Sequence, residues 1–238
     1  MLILHPSSAS RWKCVALALA FGATLLTANA NAQTQTSFDV LPTVIRAVIP
    51  AEASQVSASL LMSSPKMKLY VVAFNVPSKD TEVIVVRLTG GAKKIVKRFR
   101  IEYGYSPTVI VNKDFRYRGN PVALVQVQFG AAAAGIEVLG VNGSSVLRLG
   151  VLRADYFDFV TLGDNLFLVA HDDVNLFDVP ILYCWTGTSF ANGSTHHPEF
   201  YKPLADRFRK ASAENKLAPP VQLRFERLLR LADEPALR

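Results

Sequence analysis

Cysteine is nearly missing. The 238-residue chain has two, Cys14 and Cys184, alongside four histidines. That excludes a disulfide-stapled scaffold and any multi-cysteine zinc or iron–sulfur framework. Also missing are a G-x-S-x-G elbow, an H-E-x-x-H pair, a P-loop and a G-x-G-x-x-G turn. The apolar stretch Cys14–Leu26 is 13 residues long, short of the roughly 20 that a bilayer-spanning helix needs. What is present is apolar mass. Half of the residues are hydrophobic and 19% are charged, too apolar for a disordered polymer and too charged for a polytopic membrane protein. The 26 Lys and Arg exceed the 19 Asp and Glu, a formal net charge of +7.

The amino terminus has the layout of an export signal. Arg11 and Lys13 form a positive start, Cys14–Leu26 the apolar centre, and Ala28-Asn29-Ala30-Asn31-Ala32 offers two overlapping small-x-small cleavage sites. Arg11-Trp12-Lys13 before Cys14 does not suit a lipoprotein. Cleavage of residues 1–32 is therefore expected, giving a periplasmic or secreted product with no transmembrane segment. It removes Arg11 and Lys13, leaving 24 cations against 19 acids, and leaves Cys184 without a disulfide partner. The core must then be held by burial.

Beyond the signal, residues 33–65 are mixed. Leu41–Pro50 suggests a short strand between two prolines, and Ala51–Met62 is open between a short helix and a loop. Over 66–190 the texture is constant: short runs rich in Val, Ile, Leu, Phe and Tyr, separated by turn residues. Ten strands are expected, at Lys68–Phe74, Glu82–Leu88, Lys94–Tyr103, Thr108–Val111, Val122–Phe129, Ile136–Val141, Val146–Leu149, Phe157–Leu162, Leu166–Ala170 and Ile181–Thr186. Gly90-Gly91 and Asn142-Gly143 supply the positive φ of tight hairpins. With no helical crossover between them, the strands predict a mainly β, antiparallel meander. Residues 191–238 switch to a helical period. Phe200, Leu204 and Phe208 mark one helix, and Val221, Phe225, Leu228, Leu229 and Ala232 a second that opens at Pro219-Pro220.

Chemistry-bearing residues are sparse. Cys184 lies in the strand-like run Ile181-Leu182-Tyr183-Cys184-Trp185 and reads as a small core side chain. His171, Asp172 and Asp173, with His196 or His197, are of metal-ligand type, although their spacing fits no standard zinc template. Charge is segregated along the chain. Arg87 to Arg118 holds nine cations against Glu102 and Asp114, and Asp155 to Asp178 holds six aspartates and no cation. Strand alternation places Lys94, Arg98 and Arg100 on one face, a candidate surface for anionic ligands. It equally describes a solvated strand whose lysines discourage edge pairing.

From Asn120 to Lys210 the chain resembles the integrin-like FG-GAP/VCBS repeats of exported bacterial proteins. The resemblance is carried by Pro121–Gly130, Tyr156-Phe157-Asp158-Phe159, Leu162–Val169 and Trp185-Thr186-Gly187-Thr188-Ser189-Phe190, followed by Pro198-Glu199-Phe200. It implies β-propeller blade units, so the meander is expected to consist of propeller-blade-like hairpins with two C-terminal α-helices. The family's calcium loop is degenerate here. Leu162-Gly163-Asp164-Asn165 keeps one carboxylate, whereas calcium takes six to eight oxygens, so no cofactor is expected. The leading expectation is an exported, non-catalytic binding or interaction protein of the bacterial envelope with a protein or glycan partner. Two alternatives stand beside it: an envelope hydrolase or metal-dependent enzyme using the His/Asp cluster, and a cationic protein binding anionic lipid or glycan. Nucleic acid is not an expected partner, since no aromatic stacking ladder accompanies the cations.

Overall fold

The computed structural model describes residues 41–77, 80–130, 133–171, 179–214 and 219–233. The export segment expected over 1–32 lies outside them. The described residues are mainly β, in three four-stranded antiparallel sheets, each a simple meander. Sheet one holds β1 (Ser54–Ser63), β2 (Lys68–Asn75), β3 (Thr81–Thr89) and β4 (Ala92–Ile101). Sheet two holds β5 (Tyr105–Tyr117), β6 (Asn120–Gly130), β7 (Ala133–Asn142) and β8 (Ser145–Ala154). Sheet three holds β9 (Tyr156–Leu162), β10 (Asn165–His171), β11 (Ile181–Trp185) and β12 (Phe190–Asn192). The first strands begin at Ser54, Tyr105 and Tyr156, so the unit recurs every 51 residues. Gly90 and Gly91 (φ 57° and 85°) turn β3 into β4, and Gly143 (φ 61°) turns β7 into β8. These are left-handed conformations that glycine adopts without steric cost.

The sheets stack face to face. Leu69, Val71, Val83 and Val85 of sheet one meet Val109, Val125 and Leu139 of sheet two. The opposite face of sheet two, with Ile110, Leu124 and Ile136, meets Phe157, Leu168 and Ala170 of sheet three. Sheet two is thus covered on both sides, which accounts for the unbroken apolar run Val122–Val125, all fully buried. The outer face of sheet three is covered by the two expected helices. Among these, α2 (Pro198–Glu214) buries Tyr201 and Ala205, and α3 (Pro219–Asp233) buries Leu228 and Ala232. A side chain the size of Leu228 contributes about 1.5–3 kcal/mol by such burial. The Tyr201 hydroxyl donates to the Pro180 carbonyl at 3.0 Å, so its polar end is satisfied. No helix among the described residues is long and apolar enough to cross a membrane.

Several elements depart from the expected ones. Within Leu41–Pro50 the chain forms not a strand but one helical turn, α1 (Thr43–Arg46). Pro42 at its start has φ −52° and cannot donate to a ladder, and Leu41 and Ile45 bury against the outer face of sheet one. Ala51–Met62 proves to be mostly strand, as β1. Its inward alternation of Ser57, Ser59 and Leu61 hides the usual apolar signature. The short strand β12 was not among the ten expected. Lys94–Tyr103 is interrupted: the pairing Val85↔Lys97 is followed by Val86↔Ile95, so Val96 bulges out of the ladder.

The serines of β1 explain how sheets one and two are joined. β5 is an edge strand, pairing with β6 alone. On its free side the Val109 N–H donates to Ser57 Oγ (2.9 Å), and Ser59 Oγ donates to the Val109 carbonyl (3.0 Å). Both serines are almost fully buried, so these bonds satisfy backbone groups that have no solvent to turn to. Ser57→Ala is expected to lower stability in urea denaturation by about 1–3 kcal/mol, the cost of an orphaned buried donor. Ser63→Ala, at the exposed end of the same strand, should leave the midpoint unchanged.

Candidate functional site

The crossing between sheets two and three, together with the β10 and β11 strand ends, builds a cleft of mixed polar and apolar lining among the described residues. β8 passes into β9 through a single residue, Asp155, whose N–H donates to the His171 carbonyl at 2.8 Å. That short crossing brings the end of β8, the end of β10 and the start of β11 around a cleft of about 280 Å³. Its walls are Arg153, Ala154, Asp155, Ala170, His171 and Ile181. The His171 ring lies flat on Tyr156, with centroids 4.2 Å apart and planes 4° from parallel. Its Nε2 is 3.5 Å from Asp158 Oδ2, within ion-pair range when the ring is protonated. The Arg153 guanidinium sits over the Phe129 ring at 4.2 Å, which fixes the cation at the cleft's edge. Tyr103, Tyr105 and Tyr156 are exposed at the same strand ends, and the Tyr105 hydroxyl donates to the Gly130 carbonyl at 2.8 Å.

The expected metal-ligand residues do not gather among the described residues. His196 and His197 follow Gly193, at the short 3-10 turn before α2. There His197 Nδ1 is 2.8 Å from Glu199 Oε1, and its ring meets Phe167 edge-on at 4.5 Å. Phe167 and His171 share β10 but stand four residues apart, roughly 13 Å along the strand, whereas zinc binds its ligands at about 2 Å. His171 and His197 therefore belong to separate pairs, His171 with Asp158 and His197 with Glu199. No group of three metal-ligating side chains occurs among the described residues. Asp172 and Asp173 lie outside them. Burial alone would raise the Glu199 carboxyl. The His197 hydrogen bond, the residue's own backbone N–H and the charges of His197 and Lys202 outweigh it and hold the group below its ordinary 4.5.

Cys184 stands on β11, partly buried against the cluster of Phe167, Val169, Leu182 and Tyr201, and burial pushes its thiol up, away from the reactive thiolate. Gly193 backs directly onto it, with its N–H donating to the Leu182 carbonyl at 2.8 Å. A Cβ at Gly193 would fall 2.1 Å from the Cys184 sulfur and 3.5 Å from the Cys184 Cβ.

The bulge at Val96 divides the three candidate anion-binding residues. Directly paired residues on neighbouring antiparallel strands share a face. Arg98 opposite Ile84 and Arg100 opposite Glu82 therefore lie on the outer face of sheet one, and Lys94 opposite Arg87 lies on the inner. Uninterrupted alternation would have kept them together. Arg98 is also engaged by Glu82 at 3.1 Å, and Arg100 by Asp80 at 3.5 Å. Sequence reasoning missed Arg153, which lines the cleft, and Tyr156, on which the cleft's His171 stacks. The available signal was the stretch Arg153-Ala154-Asp155-Tyr156, a junction with two charged residues and no glycine or proline, where the chain changes sheet rather than turning back.

Two outcomes follow for this region. Gly193→Ala should lower the melting temperature, and adding Cys184→Ala should restore most of the loss, because only the sulfur stands within 3 Å of the new methyl. A group held below its ordinary pKa stabilises the fold above that value and ceases to do so as pH falls through the lowered one. The stability gap between the wild type and Glu199→Gln should accordingly be present at neutral pH and close as pH drops below 4.5, as read by urea denaturation across pH.

Set beside family models, curated proteins and solved structures, the chain matches none.

Proposed function

We propose that this chain is an exported, non-catalytic binding module of the bacterial envelope, periplasmic or secreted, whose ligand seats in the cleft beside His171. The observation that carries this reading is the state of the cleft's own side chains. His171 is stacked on Tyr156 and faces Asp158, and Arg153 is committed to Phe129. Polar groups held in this way present a fixed surface for recognition. A volume of about 280 Å³ sits just under the usual range for small-molecule sites. It suits one sugar ring or one side chain of a larger protein or glycan partner. Tyr156, stacked on His171, adds an aromatic ring beside the cleft.

Three four-stranded meanders recur every 51 residues, and we read them as propeller-blade-like units, with the likeness to FG-GAP/VCBS repeats over about residues 120–210 kept as part of the proposal. Purified peptidoglycan is a suitable first probe, being a polymer of glycan and peptide. The protein should co-sediment with it, and either Tyr156→Ala or His171→Ala should reduce the pelleted fraction several-fold while the polymer stays intact. Solubilisation of the polymer that ceases in His171→Ala would make the chain a hydrolase instead.

A further inference from the structure

The direction of two neighbouring strands sorts the charges of this molecule. Gln55 Oε1 accepts from the Ser106 N–H at 3.0 Å, and Ser57 and Ser59 bond Val109 further on. β1 and β5 therefore run side by side in the same direction. The turns β1–β2, β3–β4, β5–β6 and β7–β8 must then share one end of the stack, opposite the end where β8 crosses to β9.

That end is cationic. Sheet one brings Lys66 and Lys68 at its first turn and Arg87, Lys93 and Lys94 around its second. Sheet two adds Lys113, Arg116 and Arg118 at the β5–β6 turn. All are exposed except Arg87, which is half-buried. None takes part in an ion pair among the described residues. On the first two sheets Asp114 is the one carboxylate at this end. Arg87 and Lys94 are directly opposite each other on paired strands, a like-charge arrangement that costs stability unless something outside the chain offsets it. The far end is the reverse. Arg100 and Arg98 are matched there by Asp80 and Glu82, and Glu102 and Asp155 offset Arg153, so no unbalanced cation cluster forms.

We propose that the hairpin-tip end is a docking face for an anionic phospholipid surface. Charge complementarity selects a polyanion. The layout selects a flat one: neighbouring tips within sheet one are separated by two strand spacings, about 10 Å, and the two sheets by about the same. The lysines are thus spread over a platform and do not converge on a groove or a single phosphate. Juxtamembrane lysines on a surface of this kind each draw a protein to anionic bilayers. This face lies opposite the cleft and stands independently of the ligand proposed there.

The test uses the full chain and two vesicle preparations, pure phosphatidylcholine and phosphatidylcholine with about 30% phosphatidylglycerol. Binding to the neutral vesicles measures what the apolar stretch Cys14–Leu26 contributes, and the excess on anionic vesicles sums Arg11, Lys13 and the cationic face, of which the tip substitutions read out the last. That excess should vanish as salt rises from about 0.05 to 0.5 M. It should fall about fivefold for each lysine neutralised along the series Lys66→Gln, Lys68→Gln, Lys93→Gln and Lys94→Gln. A control with the same charge loss on the helices, Lys202→Gln, Lys210→Gln, Arg227→Gln and Arg230→Gln, should keep most of it. Equal loss in the two sets would overturn the proposal, since the effect would then be net charge. So would an excess that the tip substitutions leave unchanged, or tip-dependent binding to a soluble sulfated glycan with no excess on anionic vesicles.

Discussion

Two serine hydroxyls hold the architecture in its working arrangement. Without partners for the Val109 N–H and carbonyl, the edge of β5 would be a pair of dry, unpaired backbone groups wherever sheet one packed against it. Ser57 and Ser59 let the sheets close to van der Waals contact while satisfying that edge, and they do so at one register. A slip of β1 by one residue would exchange the serines for Ala58 or Leu60. Joined this way, β1 and β5 run in the same direction, every hairpin turn of the first two sheets falls at one end, and the cleft falls at the other.

A second fastening works on the same interface through charge. Glu137 of β7 is almost fully buried and is met by both ends of the Arg148 guanidinium, at 2.6 and 3.0 Å. The same cation lies 4.7 Å over the ring of Phe99 on β4. Arg148 is nearly half exposed, so its role is directional rather than strongly stabilising. It connects the last strands of sheets one and two, while the serines connect the first. The two sheets are therefore secured at both margins, and the apolar contacts between them fill the middle.

The β class, the hairpin turns and the helical tail were legible in the sequence because each rests on local chemistry. Gly90-Gly91 and Asn142-Gly143 announce left-handed turns, and Phe200, Leu204 and Phe208 announce a helical stripe. What depended on partners was not legible. β1 looked ambiguous because its inward residues are serines, whose value as strand residues comes from Val109, some fifty positions away. The bulge at Val96 needs the register against β3 to be known before it can be seen, and it reassigns Lys94 to the opposite face. The 51-residue recurrence was hidden by unequal loops inside the units, since β2 begins 14 residues after β1 and β10 begins 9 after β9. His171 was singled out for its chemistry, but its partners Tyr156 and Asp158 come from the neighbouring strand and share no motif with it.

The covers on the two outermost sheet faces, α1 on the first and the helix pair on the third, bear on how such a chain can change in length over evolutionary time. Each cover is fitted to a particular sheet and occupies apolar surface on which another unit would have to pack. A tandem duplication appended at either terminus would have to evict a lid before it could dock. A copy gained or lost in the interior of the array would keep both lids in place.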